Sequence, residues 1–190
     1  MEHHERRGSG PGPVSGRVSP VTAERETADV PLEELLVLAA RVGEALGSRG
    51  LTLATAESCT GGLVGHLLTE IPGSSAWYVG GGVVYSDELK RRMAAVPADL
   101  LATHGAVSAA VAEALATGIR TGLDADVGIS VTGIAGPTGA TPTKPVGLVF
   151  VGVAAGDGAV VERHLWDGDR SANKRASAAA VLRLLLERVR

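Results

Sequence analysis

Short apolar segments with strand character alternate with helical segments along most of this chain, and this alternation limits the folds available to it. Buried-strand patterns cover residues 51–56, 77–85 and 126–132, with helical periodicity between them. Two further apolar runs, 146–154 and 160–166, are separated by the turn sequence AGDG, which predicts a hairpin. The pattern therefore predicts an α/β fold, with a mixed sheet covered by helices on both faces.

The helices between these strands are indicated by their ends as well as by their periodicity. One is expected over residues 60–71, another from about Ser86, and two more between residues 98 and 123. Ser108 is the expected N-cap of the last of these, because its hydroxyl can accept a hydrogen bond from a free helix N–H group. A long final helix is expected to begin at Ser171.

Residues 1–29 mix glycine, serine, proline and charged residues without a sustained apolar period. Such a segment cannot bury enough apolar surface to offset its ordering entropy. We therefore expect a disordered N-terminal tail over residues 1–29, followed by one domain over residues 30–190. His3 and His4 lie in this tail without a ligand pattern around them, so they indicate no metal site.

Composition argues against several kinds of partner. The formal net charge is -3, and no basic stripe with interleaved aromatic residues suggests a nucleic-acid surface. The apolar stretches are broken well short of the ~20 residues that a membrane-spanning helix needs. A single cysteine and the lack of a secretory signal favour the cytoplasm, and a homo-oligomer is the expected state.

Three polar turns follow predicted strands, at residues 57–62, 85–90 and 132–144, and the first and last of them contain glycine. Ligands of α/β sheets bind beyond the carboxyl ends of the strands, so these turns are expected to converge there. Ser58 lies in the first turn, between a strand and a helix. It can act as a nucleophile beside backbone N–H groups, help to hold a phosphate, or cap the helix, and its spacing leaves these roles open.

A serine nucleophile needs a base, and no histidine stands in a comparable turn. Lys90 is the candidate base, because a desolvated lysine can accept a proton, and Tyr85 can orient or relay that proton. From the residues alone, an exposed helical lysine is the simpler interpretation of Lys90. Cys59 has no obvious activating partner, and the S-x-x-K pattern at residues 171–174 lacks the motifs that accompany it in serine acylases.

Three stretches of this sequence together resemble one known family. They are TAESCTGGLVGHLLTEIPGSSAWYVGGGVVYSDELK, HGAVS and VTGIAGPTGATPTKPVGLVFVGV, and the resemblance covers residues 32–190. The sequence is similar to the C-terminal domain of the competence/damage-inducible protein CinA family, whose stand-alone, PncC-like members are nicotinamide-nucleotide amidohydrolases. The N-terminal domain of full-length CinA has no counterpart in this sequence.

The resemblance implies a three-layer α/β/α sandwich with a mixed, mostly parallel central sheet. It also implies deamidation of nicotinamide mononucleotide to nicotinate mononucleotide and ammonia, without a metal or cofactor. By the family's motifs, Ser58 is the nucleophile, and Lys90 with Tyr85 forms the base. The alternative is a nucleotide-binding or protein-interaction module with little catalysis.

Further residues are expected to bind the substrate. Backbone groups of the ESCTGG turn would stabilise the oxyanion, the VTGIAGP segment would orient the amide or ribose, and a late arginine or a loop lysine would hold the phosphate. The sequence departs from the family at Asp87, where asparagine is common. The expected binding residues are Thr60, Gly61, Gly62, Thr132, Gly133, Gly136, Lys144 and Arg170.

Overall fold

The computed structural model describes residues 17–18 and 25–189. Within these residues the chain forms strands, helices and one short 3-10 helix at Ser74–Ala76. The strands are β1 (Arg17–Val18), β2 (Leu53–Glu57), β3 (Tyr78–Val83), β4 (Val127–Gly133), β5 (Leu148–Ala155) and β6 (Gly158–Leu165). The helices are α1 (Leu32–Arg49), α2 (Leu63–Thr69), α3 (Asp87–Ala94), α4 (Ala98–His104), α5 (Ala109–Gly122) and α6 (Arg170–Arg188).

The strands form one mixed sheet in the order β1-β6-β5-β4-β2-β3. Strand β2 runs parallel to its neighbours β3 and β4, whereas β5 runs antiparallel to β4 and β6. The short β1 pairs in parallel with β6. The predicted mixed sheet and hairpin are confirmed, and the carboxyl ends of β2, β3 and β4 meet at one edge of the sheet.

Helices cover both faces of this sheet. Helices α1, α2 and α6 pack on one face around a core of buried leucine, valine and alanine side chains together with Trp77 and Trp166. Helices α3, α4 and α5 form the layer on the other face, over a smaller core that includes Val84, Val111 and Leu115. The three-layer α/β/α sandwich is therefore confirmed.

Helix α5 lies very close to the end of α3 and to the sheet, because glycines at the contact points carry no Cβ atom. A Cβ atom at Gly118 would lie 1.7 Å from the carbonyl oxygen of Ala94, at the end of α3. On the sheet below, a Cβ atom at Gly152 would lie 3.0 Å from the carbonyl oxygen of Ala112. The buried Ser130 hydroxyl donates a 2.6 Å hydrogen bond to that same oxygen, which ties α5 to β4.

The chain just before α1 packs on the domain. Glu26 pairs with Trp166 in a parallel bridge, and the N–H of buried Ala28 donates to the Asp167 carboxylate at 3.1 Å. Two parts of the predicted tail are therefore placed on the domain, since residues 17–18 pair with β6 and residues 25–29 lie against its end. Residues 1–16 and 19–24 lie outside the described residues, so disorder there stays a prediction.

Local signals predicted the starts of α3 and α5 correctly and the starts of α2 and α6 incorrectly. Ser108 caps α5 by accepting a hydrogen bond from Val111 N–H, as predicted. Helix α6 begins at Arg170 rather than at Ser171, because the Asp169 carboxylate caps it by accepting from Ala172 N–H at 2.8 Å. Helix α2 starts three residues later than predicted, after Gly62 in the left-handed region.

No helix in the described part of the chain is long and apolar enough to cross a membrane.

Candidate active site

A cleft of about 300 Å³ lies at the carboxyl edge of β2, β3 and β4. The structure brings the three predicted polar turns together here, and the start of α6 closes the cleft from the other side. The lining residues are Ser58, Cys59, Tyr85, Asp87, Lys90, Ala106, Val107, Thr132, Gly133, Ile134, Ala135, Gly136, Thr138, Gly139 and Arg170.

Ser58 is held at the end of β2 by its own backbone. Its N–H donates to the Val131 carbonyl at 2.9 Å, and its carbonyl accepts from Gly61 N–H at 3.1 Å, which closes a tight turn. Gly61 and Gly62 have φ values of 65° and 95°, a region that other residues rarely adopt. The turn presents the Ser58 side chain to the cleft.

Glu57 occupies the start of α2. Its carboxylate is 3% exposed and accepts hydrogen bonds from Gly62, Val64 and Gly65 N–H at 3.1, 3.0 and 2.8 Å. A negative charge is stabilised at a helix N-terminus, and here the protein supplies that charge itself. This α2 terminus is therefore filled, and a substrate phosphate has no free place there.

The structure separates the ESCTGG residues into two groups. Ser58 and Cys59 line the cleft, whereas Thr60, Gly61 and Gly62 do not. Thr60 is fully buried, and the N–H groups of Gly61 and Gly62 already donate to Ser58 and Glu57. The Gly61 and Gly62 N–H groups, which were expected to help stabilise an oxyanion, are therefore already engaged in this structure.

Cys59 shares the cleft but is a poor nucleophile. Burial raises the pKa of its thiol to about 12, while the positive charges of Arg170 and Lys174 oppose that rise only in part. The thiolate is the reactive form of cysteine, so the thiol stays protonated and unreactive near neutral pH.

Lys90 lies almost entirely inside the protein, with 2% of its surface exposed. Its Nζ donates to the backbone carbonyl of Tyr85 at 3.1 Å and to the Asp87 carboxylate at 3.3 Å. The interpretation of Lys90 as an exposed helical residue is thus wrong. Among the described residues, no hydrogen bond joins Nζ to the Ser58 hydroxyl, although both side chains line the cleft.

Tyr85 contributes to the site in two ways. Its carbonyl holds Lys90, whereas its phenol hydroxyl accepts a hydrogen bond from Arg170 Nη2 at 3.4 Å. The side chain is 61% exposed, and it makes no hydrogen bond to the Lys90 ammonium. The contact that a phenol relay between Ser58 and Lys90 requires is therefore absent from the described geometry.

Arg170 joins the start of α6 to the loop after β4. Its Nη1 donates to the carbonyl of Gly136 at 2.8 Å, and Nη2 reaches Tyr85. The residue lines the cleft and also a neighbouring cavity of about 530 Å³. Arg170 therefore brings a positive charge to the border of both spaces.

Thr132 and Gly133 end β4 at the floor of the cleft. The buried Thr132 hydroxyl donates to the Ala106 carbonyl at 2.8 Å, which fixes the loop before α5. A Cβ atom at Gly133 would lie 2.7 Å from the Leu148 carbonyl oxygen, so glycine lets β4 pass close to β5. Both residues therefore shape the cleft through backbone contacts.

Lys144 lies apart from the cleft. Its Nζ donates to the carbonyl of His104 at 2.6 Å and fastens the loop after β4 to the end of α4. It is not among the lining residues. The expectation that Lys144 binds phosphate is therefore not supported by its position.

Sequence reasoning missed Asn173, which is fully buried on α6. Its amide nitrogen donates to the carbonyls of Ala135 and Gly168, and its oxygen accepts from Gly168 N–H at 3.0 Å. The side chain thereby clamps the loop after β4 to the loop before α6. Its only sequence signal was its place within the S-x-x-K pattern.

The described residues contain no group of three or more histidine, cysteine or acidic side chains that could hold a metal ion. The chemical groups that line the cleft include a serine hydroxyl, a buried lysine amine and an arginine. A serine and an amine in one cleft are suited to acyl transfer.

The fold and cleft thus define a small α/β/α sandwich domain with a serine- and lysine-lined site at the carboxyl edge of its sheet. The sequence matches the CinA C-terminal domain family over residues 36–189. The chain belongs to this family.

The relatives include both long and short proteins. The chain is 45% identical over 153 residues to the nicotinamide-nucleotide amidohydrolase PncC of Escherichia coli K12, covering 80% of this chain and 93% of that protein. It is 49% identical over 147 residues to a CinA-like protein of Synechococcus elongatus, covering 76% of this chain but only 35% of that protein. The chain thus spans about a third of the length of such CinA-like relatives.

A solved structure gives the same picture of the fold. A CinA superfamily protein from Klebsiella pneumoniae superposes with a TM-score of 0.79 at 36% sequence identity. The match covers 82% of this chain and 97% of the Klebsiella chain.

Proposed function

We propose that this chain hydrolyses the carboxamide of nicotinamide mononucleotide to give nicotinate mononucleotide and ammonia. The observation that carries the proposal is the shared cleft of Ser58 and buried Lys90. The similarity to the E. coli amidohydrolase supports the substrate, because that relative matches over nearly its whole length.

The reaction proceeds through an acyl-enzyme. Lys90, in its neutral form, accepts the proton of the Ser58 hydroxyl, and Ser58 Oγ attacks the carboxamide carbon. When the C–N bond breaks, Lys90 returns the proton to the leaving nitrogen, which departs as ammonia. Water then attacks the ester carbon with Lys90 again as base, and Ser58 is released with its proton.

Other residues assist these steps by position. Tyr85 and Asp87 hold the Lys90 Nζ at the side of the cleft. Arg170 is the proposed contact for the substrate phosphate, since a guanidinium can form paired hydrogen bonds with it.

The test is ammonia release from nicotinamide mononucleotide by the purified chain and its Ser58→Ala and Cys59→Ala variants. We expect Ser58→Ala to lower kcat by several orders of magnitude while it still binds the nucleotide. Cys59→Ala serves as the matched control and should retain most of the turnover. Binding without ammonia release in the unmodified chain would instead favour a nucleotide-binding module.

A further inference from the structure

Lys174 lies on the same face of α6 as Arg170, one turn further along the helix. Residues four apart on a helix project to the same side. The Lys174 Nζ lies 3.6 Å from the position that a Cβ atom of Gly61 would take. The ammonium thus lies over the turn that carries Ser58, just outside the residues that line the cleft, whereas Arg170 lines the cleft itself.

Among the residues that the structure describes, the charge of Lys174 has no partner. The half-buried side chain makes no hydrogen bond or ion pair with any residue between 25 and 189. Its neighbours are all engaged, since Asn173 holds Ala135 and Gly168, and Arg175 donates to the carbonyl of Val30. Lys174 therefore differs from its neighbours in having donors to spare.

The charge of Lys174 acts on Cys59, which lines the cleft. Lys174 and Arg170 both lower the pKa of the Cys59 thiol, against the larger effect of burial. Two carboxylates of this region are already engaged, because Glu57 binds the start of α2 and Asp169 caps α6. Two cations thus act on one side of the cleft, and a ligand anion can satisfy the Lys174 donors.

We propose that Lys174 binds the substrate phosphate together with Arg170, and so makes this site select a nucleotide over the corresponding nucleoside. The inference rests on the proposed function and adds a specificity residue to it. Lys174 is also the lysine of the S-x-x-K pattern, and in this proposal it binds phosphate instead of acting as an acylase base. A compact ammonium and a planar guanidinium together can hold a dianionic phosphate from two sides.

The test compares binding of nicotinamide mononucleotide and nicotinamide riboside by calorimetry, in a Ser58→Ala background that prevents turnover. Lys174→Met should weaken nucleotide binding about tenfold to hundredfold, the loss of one charge-assisted hydrogen bond. It should leave riboside binding within about twofold, because the riboside has no phosphate to lose. Lys174→Arg should keep most of the nucleotide affinity.

The matched control is Arg183→Gln, which removes an exposed charge from the same helix where it pairs with Glu34. It should leave both affinities unchanged. Unchanged nucleotide binding in Lys174→Met, an equal loss for both ligands, or no nucleotide binding at all would overturn the role of Lys174. Nucleotide binding that depends on Lys174, with no ammonia release by the unmodified chain, would sustain this role while the proposed amidohydrolase activity fails.

Discussion

The Glu57 carboxylate accepts a 2.8 Å hydrogen bond from the backbone N–H of Gly65. With two further bonds to Gly62 and Val64, this contact joins the last residue of β2 to the first turn of α2. Ser58 is the next residue in the chain, so the clamp determines where its hydroxyl lies relative to the cleft. Glu57 is therefore a positioning residue for the proposed nucleophile.

Replacing Glu57 by glutamine should lower both stability and turnover. The variant keeps one oxygen but turns an NH2 group toward N–H donors, and we expect a loss of about 2–4 kcal/mol in the free energy of unfolding. A displaced Ser58 should lower kcat about tenfold or more. Denaturant unfolding and ammonia release measure the two effects. Glu70→Gln, which changes an exposed carboxylate after the same helix, should alter neither.

Replacing Lys90 by arginine should remove turnover although the positive charge remains. A guanidinium does not give up its proton near neutral pH, so kcat should fall about 10²–10⁴-fold, nearly as far as in Lys90→Met. Circular dichroism should show that both variants fold. Arg91→Met removes an exposed neighbour from the same helix and should be nearly silent. A kcat close to normal in Lys90→Arg would exclude Lys90 as the base.

The stability of the domain should depend on pH through His164. Burial alone would lower the pKa of His164, but the hydrogen bonds that its ring makes to Glu162 and Glu26 outweigh burial and raise it. A group with a raised folded pKa contributes its stabilisation fully below the unfolded value of roughly 6.5 and loses it as pH rises through the folded value.

The comparison that isolates this effect is Glu26→Gln against the unmodified chain, unfolded by denaturant from about pH 6 to 9. We expect a stability difference on the order of 1 kcal/mol at the acidic end, shrinking as the pH rises. Parallel stability curves would show that the Glu26 contact does not shift the titration of His164.

Two glycines within helices should respond to alanine with opposite signs. A Cβ atom at Gly47 on α1 meets nothing within 4 Å, so Gly47→Ala should stabilise the domain by about 0.5–1 kcal/mol through the unfolded state. Gly118→Ala would force a methyl group to 1.7 Å from the Ala94 carbonyl oxygen, and it should destabilise by about 1–3 kcal/mol or more. Thermal unfolding of the pair measures both, and equal shifts would contradict the close packing of α5.

Much of the architecture was within reach of the sequence because its signals are local. The alternation of strands and helices predicts the layered sandwich, the AGDG turn predicts the β5–β6 hairpin, and Ser108 caps α5 through a residue three positions away. The strand order could not be predicted in this way, because no local pattern shows that β4 lies between β2 and β5.

The site residues likewise divide into those that local motifs identify and those whose role depends on the folded chain. Ser58 and Lys90 stand in recognisable motifs, but the partners of Lys90 depend on how the chain turns between β3 and α3. Glu57 was missed because its role requires the left-handed glycines that bring α2 back over its carboxylate. Lys144 was expected to bind phosphate, because a lysine in a polar loop gives no sign of the carbonyl that it contacts in the structure.

Because Arg170 of the last helix holds the Gly136 carbonyl, the cleft is complete only after that helix has been synthesised and has packed on the domain. The two proposed catalytic side chains, Ser58 and Lys90, are synthesised long before α6, yet Arg170 of that last helix also lines their cleft. A ribosome-bound chain that ends before Arg170 carries Ser58 and Lys90 without the contact that holds the loop over them. Turnover should therefore begin only once the C-terminal helix has docked, so an unfinished copy is expected to leave nicotinamide nucleotides unchanged.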